Sequence, residues 1–253
     1  NMLFDSIVYG PIRSRRLGVS LGVNLMPTFA KLCTFDCVYC ECGWNQPVLH
    51  AALPSRVEVR QALENQLSQT KECIDVITFS GNGEPTLHPD FLGIIKDTCA
   101  LRDTYSPNAK VSVLSNSTQL GRKDVVDGLM LCDNRILKLD SAIDSTMRLI
   151  DKPLNSQLTV SQIVDWLQVF DGDFTMQTCF LRGEYEGNVI DNTTDEELTA
   201  WYELVESLHP KQVMIYVIDR ETPLKTLEKI SADKMESIAS PLRAKGIDVV
   251  VSV

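Results

Sequence analysis

Short runs rich in Val and Ile alternate with segments of helical periodicity along the whole 253-residue chain, and this alternation narrows the fold more than any other feature. The strand-like runs are 18–26 (GVSLGVNLM), 74–80 (IDVITFS), 110–115 (KVSVLS), 135–140 (RILKLD), 174–182 (FTMQTCFLR) and 211–218 (KQVMIYVI), and a seventh, 246–253 (GIDVVVSV), closes the chain. Val160, Ile163, Val164 and Leu167 recur at the spacing of one buried helix face, as do Leu198, Trp201, Tyr202, Val205 and Leu208. Asp195 is the expected N-cap of the latter helix, and Pro89 the expected opening of a helix through Phe91, Ile94 and Ile95. Strand and helix repeating in this way give an α/β fold with a parallel sheet and right-handed crossovers. A full or partial barrel and an open doubly wound sheet both satisfy the pattern. In either, ligands gather at the carboxyl ends of the strands.

Bulk properties exclude some classes. A composition of 44% hydrophobic and 23% charged residues is that of a globular chain able to bury a sizeable core. The net charge of −10 argues against a surface that coats a long polyanion such as tRNA or DNA. The one dense basic cluster, Arg13-Ser14-Arg15-Arg16, precedes the first strand and reads as surface or edge pairing, with an anionic substrate or partner as the rival. No apolar run approaches the roughly 20 residues of a membrane helix. No secretory signal opens the sequence, and Asn1 ahead of Met2 reads as a cloning remnant. The expected compartment is the cytoplasm, where thiols stay reduced. Eight cysteines are then ligands or core residues rather than disulfide partners. Cys73, Cys99, Cys132 and Cys179, scattered singly, are expected in the core.

The expected carboxyl ends carry the polar chemistry. After the first strand comes LCTFDCVYCECG, in which Cys33, Cys37 and Cys40 are spaced C-x3-C-x2-C. Three thiolates this close suit a soft metal centre. Structural zinc takes four ligands, and a [4Fe–4S] cluster usually takes four cysteines, so three leave one iron open to something else. Cys42 as a fourth ligand, closing an electron-transfer cluster or a zinc site, is the alternative, but one residue from Cys40 is a cramped spacing. The second strand runs into Gly81-Asn82-Gly83-Glu84-Pro85, where glycines let the backbone approach a ligand and a carboxylate can accept from an ammonium group. The third ends at Ser115-Asn116. On the fourth, Lys138 and Asp140 share a face, as a salt bridge or as contacts to a polar ligand. Ser20, Gly22 and Asn24 alternate likewise on the first strand, and Thr78 and Ser80 on the second, which suggests a ligand cavity.

Together these elements resemble the radical S-adenosylmethionine (SAM) superfamily. Cys33-x3-Cys37-Val38-Tyr39-Cys40 is similar to its signature, and Gly81-Asn82-Gly83-Glu84-Pro85 to its GGE element, loosened here by Asn82. The resemblance implies a (β/α)6 partial TIM barrel with a seventh C-terminal strand. It implies one domain over 1–253: an extension at 1–17, a barrel core at 18–220 and a terminal helix and strand at 221–253. It implies a [4Fe–4S] cluster on Cys33, Cys37 and Cys40, with SAM on the open iron cleaved to methionine and a 5′-deoxyadenosyl radical. Tyr39 would lie near the adenine, Gly81, Gly83 and Glu84 would meet the methionyl amine, and Ser115, Asn116, Lys138 and Asp140 would complete the SAM site. An external electron donor of the flavodoxin or ferredoxin type is implied as partner. The stretches 9–18 and 78–89, with Leu139-Asp140-Ser141-Ala142 and Val217-Ile218-Asp219-Arg220, resemble the wyosine-synthase-like Fe–S oxidoreductases within that superfamily.

Substrate residues are less constrained. Asp219, Arg220 and Arg182 follow the sixth and fifth strands and are the candidate catalytic residues. The loop 183–194 is a lid or a solvated connection. His50, His88 and His209 share no ligand spacing, and His88 is expected to serve a turn. Besides a radical SAM enzyme acting on a small molecule or a nucleoside, two functions stay open: a glycyl-radical activase for a partner protein, and a non-catalytic iron–sulfur or zinc protein.

Overall fold

The structure is a computed structural model that describes residues 2–14, 17–46 and 52–253. Arg15, Arg16 and His50 therefore lie outside the described residues. The strands are β1 (Val8–Ser14), β2 (Gly18–Asn24), β3 (Val76–Ser80), β4 (Lys110–Ser115), β5 (Asn134–Lys138), β6 (Thr175–Cys179), β7 (Leu181–Tyr185), β8 (Asn188–Asp191), β9 (Gln212–Tyr216), β10 (Glu228–Lys229) and β11 (Val249–Ser252). The helices are α1 (Arg56–Gln69), α2 (Phe91–Tyr105), α3 (Lys123–Met130), α4 (Asp144–Asp151), α5 (Val160–Leu167), α6 (Asp195–Leu208) and α7 (Ala232–Ala244). The seven runs expected as strands thus fall on β2, β3, β4, β5, β6 with β7, β9 and β11. Among the described residues no helix is long and apolar enough to cross a membrane.

The chain folds into two compact units. The first takes residues 2–33 and 45–136. Its strands are hydrogen-bonded in the order β1-β2-β3-β4, parallel except for β1, which pairs antiparallel with β2. The core side chains Leu21, Ile77, Phe79, Val111 and Val113 are fully buried, and α2 packs its buried face of Phe91, Ile94 and Ile95 in the same unit. The capping box of Ser55 and Glu58 opens α1, each side chain bonding the other's backbone N–H.

The second unit takes residues 34–44 and 137–253, with the strands β6, β9 and β11 paired in parallel in that order. Trp201 of α6 is 1% exposed, stands edge-on to Phe180 with ring centroids 5.2 Å apart, and donates its Nε1–H to Thr178 at 3.0 Å. An aromatic ring with its one polar handle satisfied fixes the seating of α6.

Four expectations change. The run 174–182 does not continue as one strand: β6 stops at Cys179, and Leu181 starts β7, which joins β8 and β10 in a separate three-stranded sheet. The loop 183–194 is mostly that β7–β8 hairpin, turning at Glu186 and Gly187, both at positive φ. The cap of α6 is Thr194, whose hydroxyl accepts from Glu197 N–H, with Asp195 already inside the helix; similarly, Asp90 and not Pro89 precedes α2. Cys132 and Cys179 are buried, but Cys73 is exposed and Cys99 only partly buried.

Trp201→Ala is expected to lower stability by about 3–5 kcal/mol, read as a fall in the urea midpoint. Trp201→Phe, which keeps an aromatic ring but loses the donor and part of the indole volume, is expected to cost less, about 1–3 kcal/mol.

Candidate functional site: a cysteine loop and its two supports

In the first unit, Leu32 pairs its backbone with the loop after β3. Leu32 N–H donates to Asn82 C=O at 2.9 Å and Glu84 N–H donates to Leu32 C=O at 3.0 Å. The approach leaves no space for a side chain at Gly83, whose φ is +147° and whose added Cβ would stand 1.8 Å from the Leu32 oxygen. Gly81, at φ +107°, is crowded by Asn24 in the same way. The glycines are thus demanded by protein packing, where the sequence suggested room for a ligand. Asn82 is fully buried. Its amide donates to Phe4 C=O at 2.8 Å and Pro27 C=O at 2.9 Å, and its Oδ1 accepts from Phe4 N–H at 2.8 Å.

Glu84 is 2% exposed and accepts four hydrogen bonds: Thr86 N–H at 3.1 Å, Thr86 Oγ1 at 2.5 Å, Ser115 Oγ at 2.9 Å and Asn116 N–H at 2.7 Å. Burial pushes its carboxyl above the usual range, against those donors. Asn116 Nδ2 in turn donates to Cys33 Sγ at 3.4 Å. Cys33, Glu84, Ser115 and Asn116, chosen from three stretches of sequence, are therefore one cluster. Asn24 Nδ2, fully buried beside Gly81, has no hydrogen-bond partner among the described residues.

The polar stripe of β2 and β3 differs from expectation. Ser20 and Thr78 hydroxyls bond each other at 2.8 Å, Tyr9 OH bonds Ser80 Oγ at 2.6 Å, and the Tyr9 ring lies where a Cβ on Gly22 would go. The antiparallel strand β1 supplies Tyr9 and fills this space with protein. Arg13 pairs with Glu72 at 3.3 Å on an exposed surface, the bland reading of the basic cluster for its one described arginine.

In the second unit, the rest of the cysteine loop is held by α4: Asp36 N–H donates to Asp151 C=O and Val38 N–H to Ile150 C=O, both at 2.9 Å. Val38 is fully buried, packed with Ile150, Cys179, Leu181 and Ile190. Cys37 is buried and Cys40 partly so, and none of the eight cysteines is in a disulfide. Lys138 donates from Nζ to Cys37 Sγ at 3.1 Å, lies 3.1 Å from Asp140 Oδ2 and forms a short ion pair with Asp151. Burial alone would lower this ammonium, but Asp140, Asp151 and Cys37 outweigh it and hold Lys138 well above its ordinary value. Burial pushes Asp151 up to about 7 against the pull of Lys138. Tyr39 OH donates to Asp140 Oδ2 at 2.5 Å, and its hydroxyl is raised by burial and then by that carboxylate. Asp140 Oδ1 accepts from Cys179 N–H at 2.9 Å.

Asp151 is a member that sequence reasoning missed. It ends α4 beside the buried Met147 and Ile150, and a carboxylate on an otherwise apolar helix face was the available signal.

Of the candidate catalytic residues, Arg220 donates to Glu41 of the cysteine loop at 2.8 Å, Asp219 lies 3.7 Å from Lys229, and Arg182 lies 3.7 Å from Asp191. Arg220 is thereby tied to the loop, and it stays about half exposed. His88 accepts at Nδ1 from Asp90 N–H and contacts Pro54 C=O through Nε2 at 2.8 Å, the turn role expected. His209 ends α6 in the left-handed region.

Among the described residues, no three His, Cys, Asp or Glu side chains converge on a point suited to a single metal ion. A cluster of several irons asks for separated thiolates rather than convergent ones. Cys33 and Cys37, each with an N–H directed at its sulfur, have the surroundings of thiolate ligands, so the donor set fits a thiolate-held cluster.

Residues 28–171, over half of the chain, match the family described as the radical SAM superfamily. The chain belongs to the radical SAM superfamily. It is 30% identical over 223 residues to a UPF0026 protein of Synechocystis, covering 86% of this chain and 77% of that one. It is 29% identical over 234 residues to a protein of Brachyspira hyodysenteriae named GTPase Obg, covering 90% of this chain but only 32% of the relative. Its fold resembles that of Streptococcus suis SuiB bound to S-adenosylmethionine, with a TM-score of 0.66 at 12% identity over 91% of this chain and 50% of SuiB. The chain thus spans about a third and about half of these last two proteins. The superfamily's members are enzymes that bind SAM and in general a [4Fe–4S] cluster.

Gly83→Ala is expected to cost at least about 1–3 kcal/mol from backbone strain alone and to detach Leu32 from the loop. Limited proteolysis checks this: cleavage near residues 30–40 should rise in the variant.

Proposed function

We propose that the chain is a radical SAM enzyme whose Cys33, Cys37 and Cys40 hold a [4Fe–4S] cluster with one iron left for SAM. The observation that carries this reading is the Leu32–Gly83 backbone bridge, which seats the first cysteine of a C-x3-C-x2-C loop against the glycine loop and beside Asn116. In this reading the parallel strands form the (β/α)6 partial barrel of the superfamily, with β11 as the added strand.

When bound on Cys33, Cys37 and Cys40, the cluster would supply one electron, taken from an external donor, for reductive cleavage of SAM and hydrogen abstraction from the substrate. The protein's own tasks are binding and exclusion of water. Asn116 and Lys138 direct N–H groups at two of the thiolates. Glu84 ties the glycine loop to the end of β4 through Ser115 and Asn116, the residues proposed to contact SAM. The Glu84 carboxylate is the group proposed to meet the methionyl end. Tyr39, fixed through its hydroxyl to Asp140, is proposed to face the adenine.

Arg220 is the proposed anion contact for the substrate, since its guanidinium is both exposed and linked to Glu41 between Cys40 and Cys42. The wyosine-synthase-like subgroup is the finer assignment suggested by the stretches 9–18 and 78–89, with a nucleoside or small molecule as substrate class.

The test is anaerobic reconstitution followed by reduction with SAM. Iron and sulfide in equal amounts and formation of 5′-deoxyadenosine are expected; one zinc per chain and no cleavage would overturn the proposal. Cys37→Ala is expected to lose the cluster and all SAM cleavage, while Cys42→Ala should retain both. Exposure of the reduced protein to air is expected to abolish activity together with the cluster's visible absorption.

A further inference from the structure

The buried cation at the cysteine loop has no role in the general scheme above beyond a contact, and its surroundings specify one. Lys138 Nζ faces three acceptors: Cys37 Sγ at 3.1 Å, Asp140 Oδ2 at 3.1 Å and Asp151 Oδ1 in the short ion pair. An ammonium has three N–H bonds, and each of these acceptors lies within reach of one. The Phe35 ring lies 4.8 Å and the Tyr39 ring 5.2 Å from the nitrogen, covering the ammonium with π faces. The Lys138 side chain is 10% exposed, and those of Asp140 and Asp151 are 0% and 2%. In so dry a place a charge acts on its neighbours with little screening. Asp151 also holds the loop from below, since its backbone carbonyl receives Asp36 N–H. The carboxylates therefore aim one cation at one sulfur.

We propose that Lys138 is a positioning residue for Cys37, aimed by Asp140 and Asp151, and that it makes the metal centre held there easier to reduce. The proposal rests on the reading of Cys37 as a cluster ligand. Hydrogen bonds to a ligand sulfur and nearby charge both set the potential of an iron–sulfur cluster. Reduction adds one electron from the external donor and makes the centre more negative. A cation at 3.1 Å from a ligand sulfur stabilises that form more than the oxidised one. A carboxylate on the far side of the cation opposes it. Lys138 and Asp151 should thus act in opposite directions, which a role limited to holding the fold does not require.

The experiment uses the full chain, reconstituted anaerobically with iron and sulfide, as wild type, Lys138→Met and Asp151→Asn. Each is titrated for reduction potential by electron paramagnetic resonance without SAM, then with SAM added. Lys138→Met is expected to retain iron and sulfide and to make reduction at least tenfold less favourable, a shift of about 59 mV to more negative potential per tenfold for one electron. Asp151→Asn is expected to shift the potential the other way. If Lys138→Met fails to take up iron, Asp151→Asn decides, and an unchanged potential there overturns the proposal. Shifts of the same sign in both variants overturn it too. An unshifted SAM-free potential in Lys138→Met, with weaker SAM binding, assigns the lysine to SAM instead. A wild-type cluster that is reduced but does not cleave SAM would defeat the proposed activity while leaving the potentials to judge Lys138. A wild-type chain that takes up no iron overturns both.

Discussion

Two peptide hydrogen bonds, from Leu32 N–H to Asn82 and from Glu84 N–H to the Leu32 carbonyl, govern the first unit's share of the candidate site. Backbone can lie this close to backbone only where one partner lacks a side chain, and Gly83 is that residue. The bridge fixes where Cys33 emerges. It also turns Glu84 inward, where the carboxylate finds donors from Thr86, Ser115 and Asn116. A buried carboxylate left with fewer donors is costly, so the loop, the turn after it and the end of β4 stabilise one another as a group. Loss of the bridge removes the reason for the others to stay in place.

The second unit meets a different problem, since it buries a lysine and two aspartates against a cysteine. Buried ion pairs of this kind are weak contributors to stability, while removal of one member costs about 3–5 kcal/mol. Apolar side chains of the same volume fill such a space at lower cost. The same unit has such an alternative at hand in the cluster of Val38, Ile150, Cys179, Leu181 and Ile190. The charged group beside it is better understood through what it does to the sulfur than through what it adds to the fold.

Much of this was legible from residue order alone. Runs of Val and Ile located the parallel strands, because a strand covered on both faces has little use for polar alternation. The three motif cysteines, Ser115-Asn116 and the Lys138/Asp140 pair were found because strand ends collect polar groups in this fold class. What escaped had long-range causes. The break between Cys179 and Leu181 leaves no local mark, since both residues suit a strand and only a different set of partners separates them. Thr194 and Asp195 are both good caps, and a hydroxyl bond to Glu197 decided between them. Asp151 lies 13 residues beyond Lys138, on a helix whose register no short motif announces. The Ser20, Gly22 and Asn24 stripe misled because the ring that covers it comes from Tyr9, on a strand of opposite direction that periodicity did not reveal.

Asn82 carries one further consequence. Its side chain grips both the N–H and the carbonyl of Phe4, and Phe4 stacks on Tyr9, whose ring in turn shields Gly22. The leading residues are therefore stitched into the same loop that leads to Glu84. Trimming those residues, a common step in preparing a protein for crystallisation, would leave the Asn82 amide with Pro27 but without Phe4, and take the stacked ring from Tyr9 at once. The damage would register as poor cofactor loading, far from where the cut was made.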